Sequence, residues 1–144
     1  MERSEQVMAL AIPFLWLGLV LGISAIETPL KFRAPGITLA LGLGIGRLVF
    51  RALNAAELAL AGLLAVLVAH LASDWPLALF CAITALLCVQ VFFLRPRLDA
   101  RVQRVIAGDE VPRSSLHIAY IALEGAKCIL LPTLGAWLAW TWLA

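Results

Sequence analysis

Long apolar runs separated by short charged or glycine- and proline-bearing breaks set the pattern of this chain. The first run extends from about Val7 to Ile26 and stops at Glu27-Thr28-Pro29-Leu30-Lys31. A second, from about Leu58 to Ala72, carries no charge; the turn Ser73-Asp74-Trp75-Pro76 leads into a third, from about Leu77 to Leu94, and a fourth runs from about Leu116 to Trp142. Crossing a hydrocarbon core takes roughly 20 apolar residues, so these runs predict four transmembrane helices, 7–26, 58–72, 77–94 and 116–142, in one domain over residues 1–144. The short turn at 73–76 makes the second and third an antiparallel hairpin.

Two stretches break the pattern. Residues 37–53 are apolar but hold Gly42, Gly44 and Gly46 with Arg47 and Arg51, and Arg47, Arg51 and Asn54 fall at i, i+4 and i+7 on one helical face. Such a segment is predicted to lie in the membrane interface or to re-enter partway. Behind Pro96, residues 96–107 set Arg97, Arg101 and Arg104 opposite Leu98, Val102, Val105 and Ile106, the pattern of a basic amphipathic helix lying on the membrane surface. The expected fold class is therefore an all-α membrane protein: four transmembrane helices in an antiparallel bundle, with short cytoplasmic interfacial helices.

Composition removes the competing classes. The chain is 63% hydrophobic and 14% charged, against about 45–50% and about 25% for soluble domains, which excludes a soluble domain and a disordered chain. Cys81, Cys88 and Cys128 sit inside apolar runs, where a thiol serves as a small hydrophobe. A net charge of +2 with scattered carriers points to no nucleic-acid partner. The opening Met-Glu-Arg-Ser-Glu is not the basic start of a signal peptide, so the first run reads as an uncleaved helix, and Gly18 and Gly22 on it would admit a close neighbour.

Orientation follows from the basic residues. Lys31, Arg33, Arg47 and Arg51 lie between the first two spans, and Arg95, Arg97, Arg101, Arg104 and Arg113 between the last two. The positive-inside rule places both connections in the cytoplasm and both termini outside. Arg47, Arg51, Arg97, Arg101 and Arg104 are then candidate contacts to anionic lipid head groups. Trp137, Trp140 and Trp142 form an aromatic anchor at the opposite face. His70 and His117 end up on opposite sides of a core about 30 Å thick, too far apart to ligate one haem iron.

Within this topology one helix face stands out. His117, Tyr120, Glu124 and Lys127 follow i, i+3, i+7 and i+10, a polar stripe that carries Glu124 roughly 10–12 Å into the membrane and Lys127 near its middle. A central charge costs about 2.5–3.5 kcal/mol even on the permissive insertion scale, so the stripe should face the bundle interior. Gln90, Glu57 and Glu27 lie toward the same half, and the candidate buried site is Glu124, Lys127, His117, Tyr120, Gln90, Glu57 and Glu27. It reads either as an ion pair that sets helix packing or as a proton or ligand site.

The order of parts resembles a family of small four-helix membrane proteins of bacteria, related in architecture to the copper-resistance D family and to the bacterial membrane protoporphyrinogen oxidase. The residues that carry it are Pro29-Leu30-Lys31-Phe32, Gly46-Arg47-Leu48-Val49-Phe50, and Arg95-Pro96-Arg97 through Leu116-His117 and Tyr120 to Glu124 and Lys127. The resemblance implies a bacterial inner-membrane location. Its oxidase branch implies haem or porphyrin chemistry with a histidine early in the first helix, which here has none. No metal-protease, P-loop or nucleophile motif is present. The expectation is a proton-coupled or small-solute transport element, in the lipid bilayer and as a homo-oligomer, with no metal and no cofactor; the alternatives are a non-catalytic scaffold or assembly factor and a porphyrin- or quinone-linked oxidoreductase.

Overall fold

A computed structural model describes residues 3–69, 74–112 and 114–143. Among these there is no strand. The α-helices are α1 (Arg3–Val20), α2 (Thr28–Lys31), α3 (Leu39–Val68), α4 (Asp74–Cys88), α5 (Arg95–Ile106) and α6 (Leu116–Leu143), with π-helical segments at Leu21–Glu27 and Val89–Leu94. The π segments join α1 to α2 and α4 to α5 without interruption. Four rods result, Arg3–Lys31, Leu39–Val68, Trp75–Ile106 and Leu116–Trp142, each long and apolar enough to cross a membrane. His70, expected near the end of the second span, Ser73 of the turn and Arg113 lie outside the described residues.

The rods correct two boundaries. Residues 37–53 are not a separate interfacial element, because α3 runs unbroken from Leu39 to Val68 and carries Arg47 and Arg51 on its first half. Nor do residues 96–107 detach at Pro96, which sits in the first turn of α5. Both π segments end shortly before a proline, Pro29 or Pro96. Proline offers no N–H to the carbonyl one turn back, and its ring crowds that carbonyl. Widening the preceding turn lets the rod continue past both obstacles. In the first rod Thr28 helps, its backbone N–H and its hydroxyl (3.0 Å) both donating to the Ile23 carbonyl.

Local chemistry ends the rods where the sequence changes. Thr38 accepts a hydrogen bond from the Leu41 N–H at 3.2 Å and caps α3. After α5, Gly108 adopts φ 89°, the Gly108 N–H donates to the Val105 carbonyl and the Asp109 N–H to that of Arg104, a Schellman ending that needs a residue free to take positive φ.

The core is a set of matching stripes. Ala9, Ile12, Trp16 and Val20 of α1, Ala61, Leu64 and Val68 of α3, Phe80, Ile83 and Leu87 of α4, and Leu131, Leu134 and Leu138 of α6 bury together. Their spacing of three and four residues is the seam of closely packed helices. α1 packs chiefly on α6, where a Cβ at Gly135 would stand 2.7 Å from the Phe14 ring. At Gly42 a Cβ would overlap the Phe32 ring, so the close approach expected of a glycine pair occurs at Gly42 and Gly46. Gly18 and Gly22 have open space beside them within the chain.

Candidate functional site

The buried stripes of three rods change from apolar to polar at one level. On α6 the inward row reads Tyr120, Glu124, Lys127, Leu131, and on α3 it reads Asn54, Glu57, Ala61. Helical periodicity makes these rows continuous with the core, so the polar members cannot turn outward without unpacking the leucines on the same face. Glu57, Gln90 and Lys127 are 0% exposed, Asn54 4%, Glu124 5% and Tyr120 3%.

Lys127 is the centre. Its Nζ donates to Glu57 Oε1 and to Glu124 Oε1, the latter at 3.3 Å. The Trp16 indole N–H donates to the same Glu57 oxygen at 2.8 Å. The Gln90 amide donates to Glu124 Oε1 at 3.0 Å and to the Tyr120 carbonyl at 3.4 Å, while the Tyr120 hydroxyl donates to Asn54 Oδ1 at 3.1 Å. One connected network thus ties the four rods together. Glu57 Oε2, Glu124 Oε2 and Gln90 Oε1 are buried without a hydrogen-bond partner. Two carboxylates meet one ammonium, and their fully ionised form carries one negative charge in excess.

Of the residues expected here, Glu124, Lys127, Tyr120, Gln90 and Glu57 come together. Glu27 does not; it is half-buried and pairs with Lys31 at 3.2 Å. His117 is exposed at the start of α6, away from the network. Trp16 and Asn54 are members that sequence reasoning missed. Asn54 had been grouped with the arginines on a surface face, yet its 3-4 spacing with Glu57 and Ala61 leads into the core. The indole of Trp16 is hidden in an apolar run, since hydropathy counts it as greasy and ignores its N–H donor.

A second cluster lies one end further along. Asp99 of α5, 7% exposed, faces three arginines: Arg51 Nε at 3.0 Å, Arg95 Nη2 at 3.0 Å and Arg47 Nε at 3.6 Å. The first half of α3 is thereby bound to α5 rather than lying alone. The Gln103 amide, with its oxygen turned toward Arg47, accepts from Nη1 and Nη2 at 2.9 and 3.0 Å. Phe50 lies between two cations, Lys31 at 5.8 Å and Arg95 at 5.2 Å from its ring centre, and meets the Tyr120 ring edge-on at 5.6 Å. Arg97 and Arg104 are exposed and Arg101 is half-buried.

No family model, curated protein or solved structure matches the chain. Its reading therefore rests on the two clusters. Among the described residues no three His, Cys, Asp or Glu side chains gather around a point where one metal ion could sit. Cys81 is exposed and Cys88 and Cys128 are half-buried, all three unbonded to one another.

Proposed function

We propose that the chain is a multi-pass protein of the bacterial inner membrane, and that the cluster around Lys127 holds a proton and exchanges it as part of a proton-coupled or small-solute transport step. The observation that carries this reading is the charge imbalance. Glu57 and Glu124 reach one lysine from two rods, and each keeps a buried oxygen that lacks a donor. A buried unbalanced charge is costly and is relieved by protonation. One proton taken up by the cluster balances its charge and supplies a missing donor.

Several features support the membrane part. At 1.5 Å per residue the rods are about 40–48 Å long, matching a bilayer with its head-group zones of about 40–45 Å. Only 22% to 39% of each apolar window is buried inside the chain, which leaves most apolar surface for lipid. The contacts Phe32 to Gly42, Lys31 to Gly46 and Trp16 to Glu57 rise in number on one rod as they fall on the other, in keeping with an antiparallel pair. Under the positive-inside rule the arginine-rich ends face the cytoplasm and both termini face outward.

Infrared difference spectra across a pH titration test the proton, and an internal pH dye in reconstituted vesicles tests its movement. Wild-type protein is expected to show a protonated-carboxyl band that Glu124→Gln or Glu57→Gln removes, and Lys127→Met to lower proton flux by about tenfold or more, the loss typical of a missing proton-transfer group. Inserted variants with unchanged spectra and flux would sink the proposal. The bonds that tie all four rods favour a second reading, a scaffold whose charges only fix packing; that protein would lose stability in the same variants while showing no titrating carboxyl in the wild type.

A further inference from the structure

The arginine-rich end carries more positive charge than its own carboxylates neutralise. Lys31, Arg47, Arg51 and Arg95 stand against Glu27 and Asp99, an excess of two positive charges. This is not a solvated surface face. The Lys31 side chain is 9% exposed, that of Arg95 12% and that of Arg47 24%. The aromatic faces of Phe32 and Phe50 hold the cations in place without cancelling their charge. Gly46 makes the room, since a Cβ there would stand 2.8 Å from Lys31 Nζ.

The cations border a cavity. Lys31, Arg47 and Arg95 line about 100 Å³ between α2, α3, α5 and α6, together with His117 and a mainly apolar wall that includes Phe32, Leu43 and Phe50. Arg47 and Arg95 also border an open cleft of about 410 Å³ that takes in Arg51, Asp99 and Gln103. Arg95 Nε is buried and has no hydrogen-bond partner, and Arg47 Nε, also without a hydrogen bond, has only the Asp99 carboxylate at 3.6 Å. A donor left free on a buried cation beside a cavity complements an oxyanion, and a guanidinium suits the oxygens of a phosphate.

We infer that this end of the molecule is a binding site for a phosphate group carrying about two negative charges, held between Lys31, Arg47 and Arg95. The small cavity is of a size for the phosphate itself, and the cleft shares Arg47 and Arg95 with it. Both a phosphomonoester lipid such as phosphatidic acid and free inorganic phosphate present that chemistry. The inference is independent of the proton reading, because none of these cations belongs to the Lys127 network.

Native mass spectrometry of the full chain, purified in detergent and exposed to phosphatidic acid or phosphatidylcholine, tests it. Competition with inorganic phosphate separates the two sources. Arg47→Gln is the informative variant, since it leaves Asp99 held by Arg51 and Arg95 at 3.0 Å each. Arg97→Gln removes the same charge from an exposed site on α5. Wild-type protein is expected to retain phosphatidic acid over phosphatidylcholine by about tenfold, a difference of one charge-assisted contact or more, with Arg47→Gln erasing most of it and Arg97→Gln changing it less than about twofold. Displacement by inorganic phosphate, or binding of inorganic phosphate alone, would identify the free ion as a ligand; retention of the lipid against it would identify the head group. Binding of neither, or equal loss in Arg47→Gln and Arg97→Gln, would overturn the inference.

Discussion

The two ionic clusters of this molecule are built from the same parts and balanced in opposite directions. Around Lys127, two carboxylates share one cation in an interior that excludes solvent. About 15 Å further along α3, counted from Glu57 to Arg47, one carboxylate serves three arginines, of which Arg51 is 56% exposed. The acidic cluster must settle its charge within its own network. The basic one can borrow solvent, counter-ions or a ligand. Depth therefore decides what each cluster can do, more than the count of salt bridges does.

The largest contrast is expected from removing the sole charge of its sign in each cluster. Lys127→Met leaves two buried carboxylates without a cation, and breaking a buried pair in this way costs roughly 3–5 kcal/mol. Denaturant unfolding in detergent should register that loss, and it should hardly respond to salt. Asp99→Ala strands three arginines that reach solvent in part, so a smaller loss of roughly 1–3 kcal/mol is expected. Added salt should shrink that loss, since a partly exposed cluster is screened and a sealed one is not. An Asp99→Ala effect that matched Lys127→Met and ignored salt would erase the distinction. The baseline is Arg104→Gln: its pair with Asp109, with side chains 60% and 51% exposed, should change stability by less than about 0.5 kcal/mol in the same assay.

Much of the acidic cluster was legible in the sequence because it follows a single periodicity. Glu124 and Lys127 lie on one face of one long apolar helix, and a central charge has no comfortable place against lipid. Gln90 and Glu57 could be drawn in by level. The basic cluster was not legible, because Asp99 sits 48 residues from Arg51 and its local pattern is that of a surface helix. The rod boundaries were misjudged for a related reason. Arg47 and Arg51 depress the apolar character of residues 37–53, so a charged end of one long helix reads as a separate segment. Pro96 reads as a break when the chain is judged residue by residue, although a wider preceding turn carries the helix through it.

That wider turn has a consequence for which residues meet at all. Along the third rod the inward positions are Phe80, Ile83 and Leu87 of α4 and then Gln90 at the start of the π segment, steps of three and four. Continued in the same steps, the series would arrive at 94, 97 and 101. Instead the buried positions past the π segment are Leu98 and Asp99, one to two places later. Each residue turns a helix by about 100°, so the extra residue acts as a phase change halfway along the rod. At the start of the π segment the rod delivers Gln90 to the acidic network; beyond it the same rod delivers Asp99 to the arginines, with Arg97 turned outward. A continuous α-helix of this sequence could serve one cluster or the other, and an inserted or deleted residue between Val89 and Leu94 would uncouple them while leaving the composition of the rod almost untouched.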